Sequence, residues 1–86
     1  MSFRKLAAGG KRDANEGMIV DALRGLGCKV YRLSGRGNPD LIVRSPMGRW
    51  TPLEVKGTKG TLTKAQADIC WPVVRSVEDA IAEVWR

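Results

Sequence analysis

Three side chains in the middle of the chain have types and spacing that could do chemistry: Asp40, Glu54 and Lys56. Between the acids lies Ser45-Pro46-Met47-Gly48, with Ser first, Pro second and Gly fourth, the preference of a type I turn. A left-handed Gly after such a turn makes a three-residue hairpin loop, Pro46-Met47-Gly48, centred on Met47. Facing residues then have numbers summing to 94, so Leu41 faces Leu53 and Asp40 faces Glu54. Facing β-carbons are about 5 Å apart. Lys56, two residues on, points to the same side as Glu54. Two carboxylates this close repel unless a proton or a cation sits between them. Mg²⁺ is usually held by one or two carboxylates, water and substrate phosphate. It would polarise a phosphoryl oxygen and lower the pKa of bound water, with Lys56 beside it to orient that water or neutralise charge on phosphorus. The competing reading is bland: Asp40 as a strand-entry residue after Pro39, and Glu54 and Lys56 as a solvated strand face.

The hairpin needs elements to hold it. Asp13 begins a helix in which Ala14, Met18, Ile19, Ala22, Leu23 and Leu26 recur at helical spacing, ended by Gly25 and Gly27. Glu16 falls on the same face as Ile19 and Leu23, which puts a carboxylate at the end of the inward stripe. Asp13-Ala14-Asn15-Glu16 also has the form of a capping box, and that alone would account for the acid. Cys28 to Leu33 alternates as a first strand, Asp40 to Arg44 forms a second and Arg49 to Lys56 a third. Pro52 is awkward inside the third, because proline donates no ladder hydrogen bond. Thr63 caps another helix, stopped by Pro72, and Thr63-Lys64-Ala65-Gln66 is again a capping-box pattern. Val73-Val74-Arg75 is a short fourth strand, and Ser76 caps a last helix. The order αβββαβα is an α/β fold: a small mixed four-stranded sheet flanked by helices, with strands three and four parallel through a right-handed crossover.

Composition narrows the class. Eighty-six residues make one small domain, here residues 13–86 behind an N-terminal arm of residues 1–12. The net charge is +6, and the arm holds Arg4, Lys5, Lys11 and Arg12 with no acid, leaving a net of +2 on the rest. A polyanion, most simply nucleic acid, is the natural partner, a solubilising tail being the alternative. There is no histidine, which excludes Ser–His and Cys–His nucleophile systems. Cys28 and Cys70 lie far apart in apolar patterns, as small core residues would. No apolar run reaches membrane-spanning length and no signal-peptide core is present, so no membrane partner is expected. Trp50, Trp71 and Trp85 are much aromatic surface for one small core. Core packing is the default for them, with one available for a subunit contact.

Pro39-Asp40 followed by Glu54-Val55-Lys56 resembles the PD-(D/E)XK nuclease signature, and αβββαβ is that superfamily's restriction-endonuclease-like core. Gly37 to Val43, Glu54 to Gly57 and Leu62 to Gln66 look like the VRR-NUC family, including its small stand-alone phage-type members. Arg32-Leu33-Ser34-Gly35 is similar to archaeal Holliday-junction resolvases. The resemblance spans residues 12–81. It implies metal ligation by Asp40, Glu54 and the carbonyl of Val55, with Lys56 as catalytic lysine, Glu16 completing the metal shell or binding a second ion, and Gln66 supporting the site. Ser34 and Arg36 would contact the DNA backbone. Further affinity would come from Lys11 and Arg12 in the arm, from Lys59 and Lys64, and from assembly. The implied activity is a Mg²⁺-dependent endodeoxyribonuclease, with Mn²⁺ substituting and no organic cofactor. It would act on branched or four-way-junction DNA as a homodimer in a bacterial or phage-infected cytoplasm. The alternatives are a nicking, flap or single-strand nuclease of the same fold, or a non-catalytic nucleic-acid-binding module.

Overall fold

The structure, a computed structural model, describes residues 14–35, 37–57 and 70–86. The elements are α1 (Ala14–Gly25), β1 (Lys29–Arg32), β2 (Leu41–Arg44), β3 (Trp50–Val55), β4 (Val73–Val74) and α2 (Val77–Val84). The N-terminal arm, and the helix expected from Thr63, fall outside the described residues. The strands form one four-stranded mixed sheet in the order β1-β2-β3-β4, with β1, β2 and β3 antiparallel and β4 parallel to β3. Both helices pack on the same layer against the sheet, α1 touching β1 and α2 touching β3 and β4.

The hairpin forms as its sequence dictates. Gly48 N–H donates to the Ser45 carbonyl at 2.9 Å, Ser45 N–H donates to the Arg49 carbonyl at 2.8 Å, and Gly48 has φ +92°. The Ser45 hydroxyl accepts from the amides of Met47 and Arg49, both at 3.2 Å. Leu41 pairs with Leu53, Val43 with Thr51 and Arg44 with Trp50, so the expected register holds. Pro52 finds a physical explanation in the neighbouring strand. Glu54 and Lys56 send their amides to the carbonyls of Pro72 and Val74, so even-numbered amides of β3 point towards β4. β4 begins opposite Glu54, at Val73. Proline sits one pair earlier, where β3 is still an edge and no donor is needed.

Helix α1 ends as anticipated but faces inward differently. Cys28 N–H donates to the Leu23 carbonyl and Gly27 N–H to the Arg24 carbonyl, both at 3.0 Å, with Gly27 at φ +93°. This is a Schellman closure around a left-handed glycine. The buried face of α1 is Glu16, Ile19, Val20 and Leu23. Met18 and Leu26 of the expected stripe are exposed, and Val20 takes the inward place. They recur at helical spacing, but on an edge of the apolar arc that the sheet leaves uncovered. Cys28 is buried, whereas Cys70 is exposed and not a core residue, because it precedes β4 instead of lying on a packed face. The tryptophans also depart from the core default: Trp50 and Trp85 are exposed and Trp71 is half-buried. Leu, Ile and Val fill the core between sheet and helices, leaving no room for an indole.

At the last helix, Ser76 accepts from the Asp79 amide at 3.0 Å, and the Arg49 guanidinium donates to the carbonyls of Glu83, Val84 and Arg86. The cation so placed satisfies the orphan C-terminal carbonyls of α2 and ties them to the hairpin.

Replacing Gly27 by alanine should test the Schellman closure. A Cβ there would meet Pro46 Cγ at 3.3 Å and would hold a left-handed conformation. We expect a loss of about 1–2 kcal/mol in unfolding free energy, read as a lower chemical-denaturation midpoint with the transition slope unchanged.

Candidate active site

The site lies at the open end of the β2–β3 hairpin. The last ladder pair is Leu41–Leu53, and Asp40 and Glu54 follow it on opposite strands. Pro39, buried, leads into Asp40, and Leu33 N–H donates to the Asp40 carbonyl at 2.9 Å, anchoring its main chain to the end of β1. The Asp40 carboxylate accepts from the Val55 amide at 2.9 Å. Pairing has ended there, and a side-chain oxygen takes over from the missing ladder carbonyl. The Val55 carbonyl emerges on the same side, beyond the last β2–β3 pair.

Glu54 is 7% exposed. Its Oε1 accepts from the Trp71 indole N–H at 3.4 Å. Burial raises its pKa above the ordinary value and the nearby Asp40 charge raises it further, while the Trp71 N–H and the Lys56 charge pull the other way. The two carboxylates follow the last ladder pair on facing strands. Removing water from a carboxylate and placing a like charge beside it both disfavour ionisation. A hard divalent cation removes both penalties, and the donor set fits it: two carboxylates and the Val55 carbonyl, all oxygen.

Lys56 follows with its main chain held on both sides. Its amide donates to the Val74 carbonyl at 3.0 Å, and its carbonyl accepts from Asn15 Nδ2 at 3.0 Å. The same Asn15 nitrogen donates to the Arg75 carbonyl at 2.8 Å, so α1 clasps the ends of β3 and β4. Arg75 adds a bond to the Gly57 carbonyl at 2.8 Å.

Glu16 is 2% exposed, on the inward face of α1, and its Oε2 lies 3.1 Å from Arg32 Nε at the end of β1. Among the described residues no group of three or more acidic, cysteine or histidine side chains comes together. Asp40 and Glu54 form a pair, and Glu16 lies at the neighbouring strand end, occupied with Arg32. Ser34 is exposed in the loop between β1 and β2, where Asn38 Nδ2 donates to its carbonyl at 2.8 Å. Gln66, Arg36, Lys11, Arg12, Lys59 and Lys64 lie outside the described residues.

Three residues of the site had no signal that pointed to them. Trp71 meets Glu54 through the parallel β3–β4 register, which no turn sets. Asn15 read as part of a cap. Arg75 read as the end of a strand.

No family model and no curated protein matches the sequence. Among solved structures, one titled "VRR_NUC domain" is similar at 23% identity and a TM-score of 0.60, covering 83% of this chain and 90% of that one. The chain has the fold of a VRR_NUC domain.

Two outcomes follow from this geometry. In EDTA, Glu54→Gln should be more stable than the wild type at neutral pH, where the ionised carboxylate is penalised. Because the folded value is raised, the difference should shrink as pH falls through it towards the ordinary value. Thermal melts from pH 8 to pH 4 would check it, and a difference that grows on acidification would contradict the site electrostatics. Asn15→Ala removes two hydrogen bonds across elements and should cost about 2 kcal/mol of unfolding free energy.

Proposed function

We propose that this chain is a divalent-metal-dependent DNA endonuclease. The observation that carries the reading is the Asp40–Glu54 pair at the end of a hairpin, with Glu54 buried, Asp40 half-buried and Lys56 beside them. A protein of net charge +6 that only bound phosphate would gain nothing from two acids facing it. The similar structure is titled as a VRR_NUC domain, and nuclease activity comes to this chain from that likeness as part of the proposal.

Asp40, Glu54 and the Val55 carbonyl would hold Mg²⁺ or Mn²⁺. When bound, such an ion polarises a phosphoryl oxygen and acidifies water. The chain's own residues do the rest. The Val55 amide fixes one Asp40 oxygen, and the Trp71 N–H fixes one of Glu54, so both carboxylates are oriented beforehand. Lys56 brings an ammonium to the acids, where it would orient water and offset charge on the phosphorus oxygens. Glu16 would contribute from α1 by exchanging its partner Arg32 for the ion or its water. Gln66 would support Lys56 or the phosphate. Ser34 and Arg36 would bind the backbone near the cut, with Lys11, Arg12, Lys59 and Lys64 further out.

For the substrate, we propose branched DNA cut by a homodimer. A four-way junction has approximate two-fold symmetry and needs two strands cut, and an isologous dimer presents two equivalent sites. Resemblance to small phage-type members and to junction resolvases supports this. Among the described residues no helix is long and apolar enough to cross a membrane.

The test uses four-way junction, flap, linear duplex and single-stranded DNA, each with Mg²⁺, Mn²⁺ or EDTA. Cleavage should need the metal, and Asp40→Asn and Glu54→Gln should each reduce it at least about 100-fold. Both should keep or improve binding, because each removes a negative charge. Binding without metal-dependent cleavage of any substrate would sink the enzyme reading. Sedimentation velocity at micromolar concentration would report the dimer.

A further inference from the structure

We propose that the sheet face turned away from the helices is a platform for an unpaired nucleic-acid strand leading into the site. The substrate would then carry single-stranded DNA next to the scissile phosphate. The inference rests on the nuclease reading above and names the substrate feature that its site would take.

Strand alternation and register assign the face. Leu41, Val43, Leu53 and Val55 are buried towards α1 and α2, so Lys29, Tyr31, Ile42, Arg44, Trp50 and Pro52 turn the other way. Tyr31 is 49% exposed and Trp50 52%, large apolar surface for rings that the core does not need. They are stacked, with centroids 6.1 Å apart and planes at 28°. Tyr31 belongs to β1 and Trp50 to β3, so the rings lean together over β2, between Ile42 and Arg44.

Cations flank the rings. Lys29 and Arg44 face each other in the register, and neither has an ion-pair partner among the described residues. Asp40 and Glu54 share the alternation of Ile42 and Pro52, at the other end of this face. Trp50 to Glu54 is four residues of β3, about 13 Å. At about 3.4 Å per stacked nucleotide, roughly four nucleotides cover that distance. Aromatic faces stack on bases of either type, but only where the bases are not already paired and stacked in a duplex.

Charge complementarity favours a polyanion over a second copy of the chain. A two-fold partner on this face would bring Lys29 and Arg44 towards their own counterparts. The acids on the face are Asp40 and Glu54, already committed to the site. A phosphate backbone meets both cations and leaves the acids free for metal.

The experiment measures binding without cleavage. Fluorescein-labelled twelve-nucleotide oligothymidylate and a twelve-base-pair duplex are titrated in EDTA with wild type, Trp50→Ala, Trp50→Phe and Tyr31→Ala, with anisotropy as readout. Trp50→Ala should weaken single-strand binding about tenfold, while duplex binding changes by less than about twofold. Trp50→Phe should keep most of the single-strand affinity. Oligonucleotide should also quench part of the wild-type tryptophan emission, and that part should vanish in Trp50→Phe, which reads the contact even if the alanine variant folds poorly. Equal losses on both DNAs, or no loss and no quenching, would overturn the proposal. So would conversion of a wild-type dimer to monomer by Trp50→Ala in sedimentation velocity, which would assign the face to a second copy. Since EDTA suppresses cleavage, these outcomes are independent of the nuclease reading, which fails only if no DNA is cut with metal.

Discussion

Two like charges held at one end of a hairpin set the terms for everything around them. Asp40 and Glu54 follow the last ladder pair on facing strands, and burial together with the Asp40 charge raises the pKa of Glu54. Left alone, that pair would unzip the hairpin end. It is restrained instead by two donors, the Val55 amide on Asp40 and the Trp71 indole on Glu54, and by the charge of Lys56 acting on Glu54. An acidic pair with the Val55 carbonyl beside it is an all-oxygen arrangement that suits a hard cation.

The helix layer turns this hairpin end into a rigid one. Asn15 grips the carbonyls of Lys56 and Arg75, and Arg75 in turn grips Gly57. The segment carrying the lysine is therefore tied to α1 and β4 as well as to β2. One turn of α1 supplies both Asn15 and Glu16. The first binds the ends of β3 and β4, and the second reaches Arg32 at the end of β1. A carboxylate that is 2% exposed requires such a partner. The same ion pair keeps the acid next to the strand that leads to Asp40.

The two faces of the sheet have different work. One is a plain aliphatic core against α1 and α2. The other carries aromatic rings and the cations Lys29 and Arg44, which have no ion-pair partner among the described residues, and it runs into the acidic pair. Trp50 on this exposed face is the reason that the aromatic content of the chain looked too heavy for its core. Cys70 tells a similar story: an apolar sequence neighbourhood does not make a residue internal when the chain there lies outside the packed elements.

The sequence by itself determined whatever a local rule could set. The Ser45-Pro46-Met47-Gly48 turn imposed the β2–β3 register, and with it the meeting of Asp40 and Glu54, because one turn type admits one pairing. Gly27 ended α1 for the same kind of reason, a left-handed conformation that few other residues adopt. The positions of Glu16 on the inward face and Ser76 at a helix cap were equally local. Tertiary structure decided the rest. The rotation of α1, which buries Val20 and exposes Met18, depends on where the sheet presses. The tolerance for Pro52 depends on where β4 begins. The indole of Trp71 on Glu54 and the Asn15 clasp arise from a parallel register across a long connection, where no turn transmits spacing. Sequence could therefore name the acids and the lysine, but only packing could choose the groups that hold them in place.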